Sequence, residues 1–120
     1  MKRVEEKIEE LEQELKKRSL TWDNPSGKGT STVLRTTEKK IVYQRRKTLF
    51  YFPKKVAIKT FKDFKENGKI HARELIAFDK AYRQKKCHCT FFMLLMQYFH
   101  EAKIKRDEIG FYIELNEKEE

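Results

Sequence analysis

The sequence predicts an α+β fold: an N-terminal amphipathic helix, then a small antiparallel sheet of about three strands plus a C-terminal strand, packed on three helices. Three observations predict it. Apolar residues recur at helical spacing near the N-terminus and again between residues 54 and 102. Short β-branched and aromatic runs crowd residues 32–52. Nine Phe, five Tyr and one Trp in 120 residues suffice for a core, although 39% of the chain is charged. The length fits one domain with an appended helix rather than two independent cores.

Residues 2–18 read as a helix. Val4, Ile8, Leu11 and Leu15 recur at spacings of four, three and four, the seam of a short coiled coil. That stripe either pairs with a second copy or packs on its own domain. Lys16, Lys17 and Arg18 sit at the C-terminal end, where the helix dipole favours cations. Residues 21–31, with Pro25, Gly27 and Gly29, read as a linker between the 1–20 helix and a basic domain over 32–116. Ser26-Gly27-Lys28-Gly29-Thr30 suggests a phosphate loop, but Gly29 stands where that motif requires Ser or Thr.

Thr32–Thr37 and Lys40–Arg45 are predicted strands of a hairpin, and Thr48–Phe52 a third strand ended by Pro53. Residues 54–67 then form a helix with Ala57, Phe61 and Phe64 on one face, stopped at Asn67-Gly68. A second helix follows over 71–85, with Leu75, Phe78 and Tyr82 inward. A third runs from about Thr90 to Ala102, apolar all round from Phe91 to Met96 and therefore buried. Ile109–Leu115 is predicted to return to the sheet as a strand, and residues 117–120 form an acidic tail.

The charge is localised. Residues 1–20 balance six cations against six glutamates, and residues 70–120 balance nine against nine. Between Val33 and Lys69 twelve Lys and Arg face only Glu38, Asp63 and Glu66, so this block holds the entire net charge of +9. Phosphate neutralisation by such a patch releases counterions and gives salt-dependent affinity without base readout. The expected phosphate contacts are Arg35, Lys39, Lys40, Arg45, Arg46 and Lys47, with Lys54, Lys55 and Lys59. Exposed aromatics such as Tyr43 and Tyr51 would carry bases, cross-strand packing being the other reading for them.

Residues 47–83 resemble the ribbon-helix-helix DNA-binding module: a strand, Lys47-Thr48-Leu49-Phe50-Tyr51-Phe52, ended by Pro53; a helix; Gly68; and a second helix opening Ile70-His71-Ala72-Arg73-Glu74-Leu75-Ile76. The resemblance implies paired strands from two chains in the major groove, with Tyr51 facing the bases and His71 near a phosphate clamp at the second helix. Lys69 lengthens the turn, Leu49 is apolar at a reading position, and two strands precede the ribbon.

Catalysis and metal binding are set aside. Cys87-His88-Cys89 lacks the spacing and the second ligand pair of a zinc site, and nothing orients a nucleophile or a cluster of carboxylates. No catalytic residue, metal or cofactor is expected. Two cysteines one residue apart, no secretory core and no apolar run near the ~20 residues of a membrane span point to a reducing interior, cytoplasmic or nucleoid-associated. The resulting expectation is a non-enzymatic nucleic-acid-binding protein, dimeric, with DNA favoured and RNA possible, acting as a regulator or mobile-element accessory factor. The alternatives are an assembly factor whose patch docks an acidic protein and a nucleic-acid-packing protein.

Overall fold

In the computed structural model, which describes residues 3–116, the chain is α+β, with five helices and two antiparallel sheets among those residues. It divides into two compact units, 1–58 and 59–120, rather than the single basic domain expected over 32–116. The division falls inside one helix, α2 (Lys54–Asn67), just after Ile58. No boundary signal of the Pro/Gly kind marks it, which is why composition alone does not reveal it.

The first unit opens with α1 (Val4–Lys17). Val4, Ile8 and Leu11 are buried and Leu15 is half-buried. The helix packs against β2 (Thr30–Thr36), so the stripe read as a coiled-coil seam is used inside the unit. Residues 21–31 are not a linker. Leu20–Asp23 is strand β1, and Thr30 and Ser31 already belong to β2, its antiparallel partner. Between them Gly27 and Gly29 take left-handed φ values of 76° and 80°, and the Asn24 amide donates to the Gly29 carbonyl at 3.1 Å. The turn residues that suggested a linker are the bend of a hairpin.

Strands β3 (Lys40–Arg45) and β4 (Thr48–Pro53) complete a four-stranded sheet in the order β1-β2-β3-β4. The predicted hairpin and third strand are present. One face is buried through Leu20, Val33, Ile41, Tyr43 and Phe52. Tyr43 is fully buried and stacks on Phe50, its cross-strand partner, with ring centroids 5.2 Å apart.

The second unit contains the rest of α2, where Thr60, Phe61 and Phe64 are buried. Gly68, at φ 78°, ends that helix, its amide donating to the Phe64 carbonyl at 2.7 Å. Ile70 and His71, read as the opening of the next helix, instead form with Lys69 of the expected turn the short strand β5. The helix expected over 71–85 is two helices, α3 (Ala72–Phe78) and α4 (Lys80–Gln84). Asp79 separates them in extended conformation, its carboxylate accepting the Ala81 amide at 2.9 Å as an N-cap.

Helix α5 (Cys87–Tyr98) begins before Thr90 and stops short of Ala102. It ends because His100 turns left-handed and the Glu101 amide reaches back to the Met96 carbonyl at 2.9 Å, a Schellman closure. Phe91 to Met96 are buried, as an all-round apolar helix requires. Strands β6 (Ala102–Arg106) and β7 (Phe111–Leu115) follow. β7 does not return to the first sheet; it pairs between β5 and β6 in a second, three-stranded sheet. Among the described residues no helix is long and apolar enough to cross a membrane. The acidic tail expected at 117–120 lies outside the described residues.

Candidate nucleic-acid interface

The cations of the basic block separate into two groups by their partners. Of those in the second unit, Lys59, Lys65 and Lys69 are engaged, and Lys62 is exposed with no carboxylate partner among the described residues. Lys59 Nζ lies 3.1 Å from Asp79 Oδ2 and above the Phe78 ring. Lys65 Nζ is 3.2 Å from Glu101 Oε2, both largely withdrawn from solvent, and Lys69 sits over the Tyr112 ring. Asp79 is held below the ordinary carboxylate range, first by the Ala81 amide and then by Lys59. Lys59, expected at phosphate, therefore serves an internal ion pair.

Those in the first unit are not. Between Thr30 and Ile58 eight cations face one acid, Glu38. None of the eight forms an ion pair with a carboxylate among the described residues. Seven of them lie at the two ends of the sheet, and Arg35 lies between. Arg45 ends β3, and Arg46 and Lys47 form the β3–β4 turn beside it. Lys39 and Lys40 lie in and after the β2–β3 turn. Lys54 joins them because its amide donates to the Lys39 carbonyl at 2.9 Å, and Lys55 follows on α2. Lys40 stands opposite Pro53, and Arg45 opposite Thr48. Five residues of strand put these two ends about 17 Å apart.

The turn geometry is costly. Arg46 has φ 56°, a left-handed conformation that glycine or asparagine adopts more cheaply. The Gln44 side chain supports it, donating to the Arg46 carbonyl at 2.9 Å. Retaining an arginine where glycine costs less favours a role for its side chain.

Between the two ends runs the outward face of the sheet. Thr21, Thr32, Gln44 and Leu49 form one cross-strand row, and Arg35, Val42 and Tyr51 the next; Val42 is fully buried, so this second row is exposed at Arg35 and Tyr51. A bulge between Val33 and Arg35 sets this second row. Strict alternation would send Arg35 to the same face as buried Val33; the extra residue, Leu34, turns it outward. Leu49 and Tyr51 are 41% and 48% exposed, unusual for large apolar side chains on one strand. Of the two tyrosines considered as base platforms, Tyr51 is available and Tyr43 is core.

No family model, curated protein or solved structure matches the chain. The arrangement of its own residues is therefore the basis for any functional reading.

His71 belongs to the second unit and not to this face. It is buried, its Nε2 2.8 Å from Asp107 Oδ2 and its Nδ1 3.3 Å from Glu74 Oε1, with the Tyr112 ring 4.9 Å away. The His71 bond holds Asp107 below the usual carboxylate range. Two carboxylates around the ring make a poor seat for a phosphate, so His71 is not part of the candidate interface. It ties β5 to the β6–β7 turn. Among the described residues no group of three or more His, Cys, Asp or Glu has the geometry to hold a metal ion. Cys89 is buried, which pushes its thiol up to about 11.

The local signal separating free from engaged cations is weak in the sequence. Asp79 is twenty residues from Lys59, and Glu101 thirty-six from Lys65. Only tertiary folding pairs them.

Proposed function

We propose that the chain is a non-enzymatic nucleic-acid-binding protein that works through the outward face of its four-stranded sheet and the cations at both ends of it. The observation carrying this reading is the sorting of the basic block. Lys59 and Lys65 have carboxylate partners, while Arg35, Lys39, Lys40, Arg45, Arg46, Lys47, Lys54 and Lys55 gather round one sheet with no such partner among the described residues. Clustered like charges oppose compaction, and a polyanion relieves that repulsion. Phosphates spaced along a nucleic acid answer charges at two ends of a sheet, whereas one small anion answers only one end.

The test is fluorescence anisotropy with labelled duplex and single-stranded DNA and RNA, titrated at several salt concentrations. Wild type is compared with an Arg45→Ala/Arg46→Ala/Lys47→Ala variant. Binding that weakens steeply with salt, with a shallower slope in the variant, supports the reading. Failure of every probe to bind at low salt rejects it, and the face would then be tried against acidic proteins.

A further inference from the structure

Resting on that reading, we infer that the ligand is a single strand, laid along β4 with a base stacked on Tyr51. Three features of the outward face carry this beyond phosphate attraction.

The first is an exposed aromatic at the right place. Tyr51 lies between the two charged ends, 48% exposed, with Leu49 two residues away on the same face. Same-face neighbours on a strand are about 7 Å apart, so one base stacked on the Tyr51 ring leaves Leu49 against the next. A tyrosine ring accepts the π-face of any base, and Arg35, in the same row across Val42, supplies a cation beside the strand's backbone.

The second is shape. The face spans four strands, about 14 Å between the outer two, before side chains are added. A major groove about 12 Å wide admits a helix or a two-stranded ribbon but not a sheet of this width laid flat. A duplex also keeps its base faces stacked inside and offers none to Tyr51. A single strand offers both its bases and its phosphates to a surface of this form.

The third is the charge layout. The Arg45-Arg46-Lys47 turn and the Lys39, Lys40 and Lys54 cluster are about 17 Å apart, with no acidic side chain in the two rows between them. That span suits a site of a few nucleotides, the lower end of the range for single-strand-binding sheets, about four.

The experiment measures binding of labelled oligo-dT, oligo-U and a duplex of equal length to wild type, Tyr51→Ala and Tyr51→Phe. Circular dichroism melts confirm that each variant is folded. The expected result is tighter binding of a single strand than of duplex, and a loss of roughly tenfold or more in Tyr51→Ala with an unchanged salt slope. Tyr51→Phe retains wild-type affinity, because the ring and not the hydroxyl does the stacking. Comparison of oligo-dT with oligo-U assigns the strand to DNA or RNA, either being a single strand. Duplex bound as tightly as single strand, with Tyr51→Ala behaving as wild type, overturns this inference while leaving nucleic-acid binding in place. Binding of no probe at low salt overturns both.

Discussion

Arg35 and Tyr51 flank Val42 in one cross-strand row, so a cation and an exposed aromatic lie about 10 Å apart on the same face of the sheet. The β2 bulge makes this relationship: were Leu34 paired in a regular ladder, Arg35 would point to the face where Val33 and Tyr43 are buried. An arginine there would have to be desolvated, which is expensive. Deleting Leu34 straightens β2 yet leaves Arg35 directly after Val33, and so still outward opposite Val42; the variant is expected to stay folded in a thermal melt and to keep its nucleic-acid affinity.

The Arg46 conformation separates stability from binding. Arg46→Gly relieves the left-handed backbone and is expected to stabilise the fold by up to about 1 kcal/mol, read as a higher Tm. The same substitution removes a turn cation and should weaken nucleic-acid binding. A lower Tm would show that the arginine side chain contributes to folding and would remove the strain argument.

The two groups of cations should behave differently under salt. The Arg45→Ala/Arg46→Ala/Lys47→Ala variant is expected to lower the log–log slope by up to about 2 for single strands, at ~0.7 per phosphate contact. Lys59→Ala/Lys65→Ala should leave the slope nearly unchanged while lowering Tm, because those cations pair with Asp79 and Glu101. Equal slope changes in the two variants would refute the sorting.

Asp79 predicts an acid limb. Its carboxyl is depressed in the folded chain by the Ala81 amide and Lys59, so its contribution is complete above its ordinary value of 3.8. That contribution is lost as pH falls below 3.8 through the folded value. Asp79→Ala is expected to cost about 1 kcal/mol at neutral pH through loss of the α4 cap, and to flatten the stability profile in the acid range below about pH 4. Denaturant melts across roughly pH 3 to 7 measure both.

Leu11 tests where the α1 stripe is used. It is fully buried against the first unit, so Leu11→Ala should cost about 3 kcal/mol. The Tm of wild type and variant should be independent of protein concentration if that packing is internal. A concentration-dependent Tm lost in the variant would restore a seam between chains.

Much of the fold is legible because local rules suffice for it. Helical spacing identifies α1, α2 and α5, alternation identifies β3, β4 and β7, and Asn67-Gly68 marks the end of α2. The misread segments are those where a side chain or a partner strand decides. Leu20–Asp23 looks like the start of a loop until β2 pairs with it. Ile70 and His71 look helical until β7 supplies a ladder, and Asp79 breaks a continuous helical pattern by capping α4. Ala102–Arg106, three of five residues charged, shows little alternation and becomes β6 only by pairing with β7.

Residue type and order are enough to dictate the fold class and the confinement of all net charge to residues 33–69. They also place Arg45, Arg46 and Lys47 between two strands. Folding in three dimensions settles which cations remain without carboxylate partners, which tyrosine is exposed, and which face Arg35 takes. Those outcomes depend on contacts between residues up to thirty-six positions apart and on one extra residue in a strand register. Neither leaves a periodic trace, because pairing and burial are properties of neighbours in space.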